Sequence, residues 1–267
     1  MVSDGAAAYV VRSVYRISDR STVTQDMIFF ADSAEVRFDT AMDWNDDHRF
    51  LKAAFDTTVS DDFARHEIQF GCVKRPTTRN TSLEQAKFEV CNHKYTDFSE
   101  PRYGVAVLND CKYGISVQDG SLQLSLHKGG RHPDHKGDKD GIHRCVYAFL
   151  PHTGGFSAEA VIEPAYMLNV PVLVADGSLD VSPLVGVDAP NVIVEAIKPC
   201  EDAQKAYIVR LYEAEGSATK TVLRLPSFAR GVCETDMLEQ PTADLGAADA
   251  LPLSFRPFEI KTLKISY

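Results

Sequence analysis

The chain has 267 residues, enough for one large all-β domain or for two smaller sandwiches, each with its own core. Its formal net charge of −10 argues against a nucleic-acid partner, because binding to phosphates depends on clusters of Lys and Arg. No apolar run approaches the roughly 20 residues of a membrane helix, and the segment MVSDGAAAYV lacks the features of a signal peptide. These observations predict a cytoplasmic protein with no membrane partner.

The cysteines predict thiols rather than disulfides. They form no CxxC pair and show no regular spacing. In a chain of this size that pattern favours buried or half-buried reduced side chains over a disulfide framework. The positions are Cys72, Cys91, Cys111, Cys145, Cys200 and Cys233.

Strand signals dominate the sequence in chain order. Short segments rich in β-branched and aromatic residues begin with AAAYVVRSVYRI, STVTQDMIFF, EVRFDTAMDW and HEIQFGCV. Asp119-Gly120 predicts a hairpin with a type I′ turn, because both central residues of that turn need a positive φ. The best helix candidate is DDHRFLKAAFD, residues 46–56, although its bulky apolar residues fit a strand almost as well. The chain is therefore predicted to be nearly all-β.

A change of composition at residues 176–190 predicts two domains. The segment DGSLDVSPLVGVDAP is rich in Pro, Gly and small residues, which suits a linker or a long connection. Residues 1–178 contain enough strand segments for a large two-sheet β-sandwich. Residues 188–267 suit a small antiparallel sandwich of the immunoglobulin-like kind.

The loop Lys128–Gly141, KGGRHPDHKGDKDG, concentrates side chains that are capable of binding a metal. Their spacing matches no compact metal motif, so a solvated loop and a loop that touches a polar ligand remain alternatives to a metal site. The side chains concerned are His132, Asp134, His135, Asp138 and Asp140.

The run HKYTDFSEPRYG around Tyr95 combines aromatic rings with the carboxylates of Asp97 and Glu100. Proteins commonly bind sugars by aromatic stacking together with carboxylate hydrogen bonds, so this run is a candidate sugar site. The alternative is an ordinary strand end in which Asp97 and Ser99 make turn hydrogen bonds. A glycosidase acid pair is not favoured, since no two acids have a context that selects them.

Two histidines flank the segment RCVYAFLP. Nine residues of extended chain separate His143 from His152, a distance of about 30 Å, so they do not form one catalytic pair. A structural hydrogen bond is the favoured role of His152. For His143, ligand contact and a structural role are equally supported, because imidazole offers both a donor and an acceptor.

Several long strings resemble the C-terminal β region of family 38 glycoside hydrolases, the α-mannosidases. The strings are EIQFGCVKRPTTRNTSLEQAKFEV, HKYTDFSEPRYGVAVLNDCKYG, DKDGIHRCVYAFLPH, the LN-P segment Leu168–Pro171, RLYEAEGS and LSFRPFEIKTL. The resemblance extends from Trp44 to Lys264 and is strongest to the cytosolic and vacuolar branch and its bacterial relatives. The fold it implies is all-β, with a galactose-mutarotase-like supersandwich followed by the small sandwich.

The resemblance implies a retaining enzyme that cleaves α-linked mannose with the help of a zinc ion. In that family the aspartate nucleophile, the acid/base and the zinc ligands lie on an α/β domain that precedes the matched region. The chain would then be the C-terminal part of a longer protein and would be inactive alone. No catalytic residue and no metal are expected in it. Its expected partners are the N-terminal catalytic domain and a mannose-containing oligosaccharide.

The family also implies which residues line the mannose site. Tyr95-Thr96-Asp97 resembles a Tyr-Thr-Asp motif that lines the pocket in the Golgi and lysosomal branches. A second pocket loop is similar to the segment Asp140–His143, although the expected arginine is missing there. The predicted substrate-binding residues are therefore Tyr95, Asp97, Asp140 and His143.

Two other classes of function are carried alongside the family interpretation. One is a free-standing carbohydrate-binding module. The other is a mutarotase-like enzyme in which a histidine and a glutamate, His143 and Glu67, would act as a pair on an aldose; this rests on an analogy of fold alone.

Overall fold

The computed structural model divides the chain into two compact units. The first comprises the chain up to Ile68 together with Val73–Val172, and the second comprises Gln69–Cys72 and Leu173–Tyr267. The predicted domain boundaries, 1–178 and 188–267, stay a prediction. The structure describes residues 2–130, 141–178, 183–202 and 204–267.

The first unit is built almost entirely from antiparallel strands. Among its described residues, one sheet has the strand order β1-β2-β3-β4-β13-β10-β9-β6-β7 and the other has the order β5-β12-β11-β8. The strands are β1 Ser3–Asp4, β2 Ala8–Arg16, β3 Thr22–Phe30, β4 Val36–Asp43, β5 Phe50–Asp56, β6 Phe63–Ile68, β7 Gly71–Pro76, β8 Val90–Cys91, β9 Tyr95–Glu100, β10 Tyr103–Asn109, β11 Gly114–Gln118, β12 Ser121–Lys128 and β13 Ile142–Thr153.

The core of this unit lies between its two sheets. Alternate residues of the central strands point inward and meet the apolar side chains of β11 and β12, as the two-residue period of a strand requires. Val105, Val107 and Phe98 come from the larger sheet, and Ile115 and Leu122 from the smaller one. The opposite face of β9 and β10 is covered by short helices.

Those helices follow strand β13 and were not predicted. A π-helical turn, Ala158–Ile162, is continued by the α-helix Glu163–Asn169, and both contact β9 or β10. Ser157 caps the turn, since its hydroxyl accepts a hydrogen bond from the backbone N–H of Ala160. One more short helix, Ser82–Ala86, is held by a capping box.

Two local predictions for the first unit have clear outcomes. The Asp119-Gly120 hairpin is confirmed, because it joins β11 to β12 with φ values of 50° and 78°. The helix candidate at residues 46–56 is wrong, because Phe50–Asp56 forms β5 and pairs with β12. Leu51, Ala53 and Phe55 alternate toward the core, and this tertiary burial outweighs their helix propensity.

The second unit is a two-layer antiparallel sandwich over the residues that the structure describes. Its sheets have the strand orders β14-β17-β20 and β15-β16-β21-β18-β19, and the side chains between them form a separate core. The strands are β14 Gly186–Val187, β15 Val192–Pro199, β16 Ala206–Glu213, β17 Thr219–Arg224, β18 Gly231–Thr235, β19 Pro241–Gly246, β20 Ala250–Phe255 and β21 Ile260–Ser266. The all-β prediction is confirmed for both units.

All six cysteines are free thiols, as predicted. The prediction that they are buried or half-buried is wrong for Cys91 and Cys111, which are exposed. Burial raises the pKa of Cys145 to about 12, and partial desolvation together with the neighbouring carboxylate of Asp110 raises that of Cys111 to about 11, so neither is an activated nucleophile. Within the described part of the chain, no helix is long and apolar enough to cross a membrane.

Candidate functional site

Tyr95 and Asp97 lie on strand β9, an interior strand of the larger sheet between β10 and β6, and not in a loop. Both side chains are buried, with exposed fractions of 2% and 0%. They point to the face of the sheet that the helices after β13 cover, because residues two apart on a strand share a face. Each is therefore an interior residue of the first unit.

The carboxylate of Asp97 is the centre of a buried polar network. Ser99 donates its hydroxyl to Oδ2 at 2.8 Å, and His152 Nε2 lies 2.9 Å from Oδ1. The guanidinium of Arg65, directly opposite on β6, lies 3.8 Å from Oδ2. A fully buried carboxylate requires such partners, since burial without them would favour its neutral form. The predicted structural hydrogen bond of His152 is confirmed.

Gly104 makes room for this network. It lies on β10 between Ser99 of β9 and His152 of β13 in the strand register. A Cβ atom at this position would overlap Cε1 of His152 and Cβ of Ser99. The absence of a side chain therefore allows the imidazole to cross β10 and reach Asp97.

Aromatic rings close the network on one side. The Arg65 guanidinium lies 5.0 Å from the ring centroid of Phe156, and the ring of Tyr95 lies 5.7 Å from that of Phe156. Stacking on a ring and pairing with a carboxylate are the two contacts for which a planar guanidinium is suited. Arg65 and Phe156 were missed from the sequence, because nothing in the Arg65-His66 dipeptide indicates that this strand lies opposite Asp97.

His66 occupies the opposite face of β6, next to the core. Its Nδ1 lies 3.0 Å from the hydroxyl of the buried Thr96. Desolvation, together with the positive charge of Arg75, lowers the pKa of His66 to about 3. The imidazole is therefore neutral at physiological pH.

His143 lies near the start of β13 and packs against a second histidine from the smaller sheet. The ring centroids of His143 and His127 are 4.3 Å apart, and His127 in turn lies 5.1 Å from the buried Trp44. Nε2 of His143 is buried and has no hydrogen-bond partner among the described residues. This nitrogen retains the capacity to bind a hydroxyl group.

The structure does not bring Asp97 and His143 together. The register pairs Asp97 with Ala106 and Ala106 with Leu150, which places Leu150 level with Asp97 on the same face. His143 is seven residues before Leu150, so it points to the other face and lies about 20 Å away along the strand. Among the described residues, Asp97 and His143 therefore do not line one pocket of this unit.

The same geometry excludes the mutarotase-like pair. Glu67 has the parity of Arg65 on β6 and shares the face of Asp97, whereas His143 points to the opposite face. The Glu67 carboxylate is also occupied, since it accepts the backbone N–H of Lys94 at 2.5 Å and its Nζ at 2.6 Å. Glu67 and His143 therefore cannot act on the same sugar carbon.

Asp140 and the four other metal-capable side chains of its loop lie outside the described residues. Within the described ranges, no three His, Cys, Asp or Glu side chains come close enough to hold a metal ion. The substrate-binding roles of Tyr95, Asp97, Asp140 and His143 stay predictions.

The fold and its contacts define a class of protein: an all-β module of two units, in which a buried polar network around Asp97 joins neighbouring strands. Two family models match it. One describes the C-terminal domain of glycosyl hydrolases family 38 and matches residues 1–136, and the other describes the C-terminal β-sandwich domain of the same family and matches residues 191–263. The chain belongs to glycosyl hydrolases family 38.

Curated relatives agree with the family. The chain is 37% identical to alpha-mannosidase 2C1 of Homo sapiens, over 93% of this chain and 25% of the human protein. It is 33% identical to an alpha-mannosidase of Saccharomyces cerevisiae, over 85% of this chain and 23% of the yeast protein. The chain thus spans about a quarter of the length of the relatives it matches.

A solved structure matches the fold. The crystal structure of an alpha-mannosidase from Enterococcus faecalis covers 91% of this chain with a TM-score of 0.75 at 18% identity. The match takes in 29% of that protein. At this identity the likeness concerns the fold alone.

Proposed function

We propose that this chain is the non-catalytic C-terminal β region of a retaining, zinc-dependent α-mannosidase. One observation carries the proposal: the relatives match nearly the whole chain, but the match uses only about a quarter of each α-mannosidase. Because this chain corresponds to only a quarter of each relative, we expect the catalytic part to lie elsewhere in the same polypeptide. The chain is expected to be inactive alone and to act in the cytoplasm.

The described residues do not fit a zinc site, since no three metal-capable side chains converge. Under the proposal, zinc and the acids that cleave mannose belong to the rest of the parent protein. The contribution of this chain is a rigid face against which that part packs. The polar network around Asp97 joins strands β6, β9 and β13 across the sheet and holds them in register.

Co-expression tests the partnership. The remaining three quarters of the parent α-mannosidase would be produced with a tag, with and without this chain on a second plasmid. We expect the chain to co-purify with the tagged part. It should also restore hydrolysis of 4-nitrophenyl α-mannoside, because the catalytic part alone lacks the surface against which it packs. Full activity of the tagged part without this chain would contradict the proposal.

A free-standing carbohydrate-binding module is the alternative. It would bind mannose without any catalytic partner, and calorimetric titration of the purified chain with a mannoside distinguishes it. The partial coverage of the relatives favours the α-mannosidase region.

A further inference from the structure

The two sheets of the first unit differ in width. Among the described residues the larger sheet has nine strands and the smaller one four, with β5 and β8 at its edges. At one edge, Arg75 of β7 donates to the backbone carbonyl of Cys91 on β8 at 2.6 Å. At the other edge, Phe55 of β5 stacks on Phe149 of β13 and meets Phe38 of β4. The smaller sheet therefore ends over β4 and β13, while the larger sheet continues into β3 and β2.

Strands β2 and β3 turn an apolar face toward the side on which the smaller sheet lies. The strand register places Tyr9, Tyr15 and Phe29 on this face, together with the core residue Val23. The three aromatic side chains are nonetheless 40%, 45% and 41% exposed. The opposite face is charged, since the Arg12 guanidinium there binds a carboxylate of β3 through two hydrogen bonds of 2.6 Å. Such alternation is typical of strands whose apolar face is covered.

A groove of about 320 Å³ separates this apolar face from the edge of β5. Its walls include Tyr15 and Val23 on the larger sheet and Leu51, Ala53 and Phe55 on β5. The three β5 side chains point toward the larger sheet but are only partly buried, whereas the inward leucines of the next strand, β12, are buried. Neighbouring strands of a sheet lie about 4.8 Å apart, so one further strand beside β5 would lie over β3 and fill the groove.

The backbone of β5 has hydrogen-bonding groups that face this open edge. Just beyond the strand, the N–H of Thr57 donates to the carbonyl of Gly120 at 2.9 Å, and the register of β5 with β12 continues that pairing. Bonded positions recur at every second residue of an antiparallel strand, so Phe55 bonds β12 as well. The N–H and C=O groups of Ala54 and Lys52 therefore point away from β12, toward the groove.

Other edges of this unit are short or interrupted, whereas the edge of β5 is neither. Strands β1 and β8 have two residues each, and β7 ends at Pro76. Strand β5 has seven residues, without proline, and the ammonium group of its lysine, Lys52, is held 3.3 Å from the carboxylate of Glu89. A long apolar edge is a template for a further strand, and native proteins avoid leaving one open. The edge of β5 is therefore expected to be paired in the complete protein.

We propose that an extended segment from the rest of the parent polypeptide adds as a strand to the edge of β5 and covers β3 and β2. Its backbone pairs with Lys52 and Ala54, and its alternate apolar side chains enter the groove beside Tyr15. The proposal rests on the proposed α-mannosidase role, because the segment belongs to the other three quarters of that protein.

Hydrogen exchange of the β5 amides tests the proposal, with the 267-residue chain compared with the full-length parent by mass spectrometry with electron-transfer fragmentation. The N–H groups of Lys52 and Ala54 should exchange at least about 10-fold more slowly in the parent, because they gain hydrogen-bond partners there. The N–H of Phe55 bonds β12 and should be protected in both proteins, which makes it the internal control. Equal exchange of Ala54 in the two proteins would overturn the proposal.

Two pairs of variants test the contact by co-purification with the tagged remainder of the parent. Ala54→Pro removes an N–H from the open edge, where strands accept proline, and should lower the recovery of the chain at least about 10-fold, whereas Ala54→Thr keeps the N–H and should not. Tyr15→Glu places a charge in the groove and should cause a similar loss. Val14→Glu lies on the other face of β2, where Val14 is 67% exposed, and should be recovered normally.

Equal recovery of the two members of a pair would contradict the added strand. If Ala54→Pro unfolds the first unit, as seen in the fluorescence of Trp44, the pair at Tyr15 and Val14 decides. Protection of Ala54 that grows with the concentration of the isolated chain would assign the edge to a second copy and overturn the proposal.

Hydrolysis of 4-nitrophenyl α-mannoside by the parent reports separately on the proposed function. An active parent in which Ala54 is unprotected would overturn the added strand and leave the α-mannosidase role intact. An inactive parent in which Ala54 is protected would support the strand and contradict that role.

Discussion

At the scale of single residues, burial decides what each polar side chain of the first unit does. Asp97 is fully buried and its oxygens are held by Ser99, His152 and Arg65, so it organises strands. His143 keeps a buried nitrogen with no partner among the described residues.

His66 gives a prediction on pH. Its pKa is about 3 in the folded chain and about 6.5 when unfolded, so the neutral form is favoured by folding. Its contribution to stability is complete above pH 6.5 and is lost as the pH falls toward 3. Between pH 6.5 and pH 3, protonation of His66 should lower the free energy of unfolding by about 1.4 kcal/mol for each unit by which the pH falls.

Urea unfolding at several pH values measures this effect. The fluorescence of Trp44, the single tryptophan of the chain, reports on the first unit, which contains His66. His66→Asn should reduce the slope of the unfolding free energy against pH by the amount that corresponds to one bound proton. The asparagine amide can still form a hydrogen bond with Thr96 but does not titrate. Equal slopes for the parent chain and the variant would show that His66 is not held neutral.

At the scale of elements, the contact between β9 and β13 across β10 depends on the absence of a side chain at Gly104. Gly104→Ala should destabilise the first unit by about 1 to 3 kcal/mol, because the new methyl group would displace His152 or Ser99. Gly155→Ala is the matched control: its added Cβ would meet only the carbonyl oxygen of Glu100, at 3.8 Å. Trp44 fluorescence during urea unfolding measures both variants. Equal stability of the two would mean that the sheet adjusts around the alanine.

The sequence predicts local elements well and their partners poorly. Asp119-Gly120 specified its turn because the required positive φ is a property of the two residues themselves. Phe50–Asp56 was ambiguous because its conformation is set by pairing with β12, which is distant in sequence. The helices after β13 had local signals in Ser157 and Pro164, but their brevity hid them among strands.

The candidate site shows the same limit more sharply. The sequence singled out Tyr95, Asp97 and His152 as polar residues of note. It did not show that Arg65 stands opposite Asp97, or that Gly104 lets His152 reach it. Register and parity across four strands determine those contacts, and neither is visible in a single run of residues.

At the scale of the whole molecule, the chain is two β units matched to about a quarter of each α-mannosidase relative. Family membership follows from models that match both units, at residues 1–136 and 191–263. Cleavage of mannose is proposed for the parent protein and not for this part of it. The part itself contributes two units of ordered antiparallel strands, each with its own core.

Hydrolysis of 4-nitrophenyl α-mannoside by the purified 267-residue chain tests the central claim most directly. Assayed beside the full-length parent α-mannosidase at equal molar concentration and with zinc added, the chain should show no turnover above the uncatalysed rate, while the parent is active. Turnover by the chain at a rate comparable to that of the parent would contradict the account and place the chemistry within these two β units.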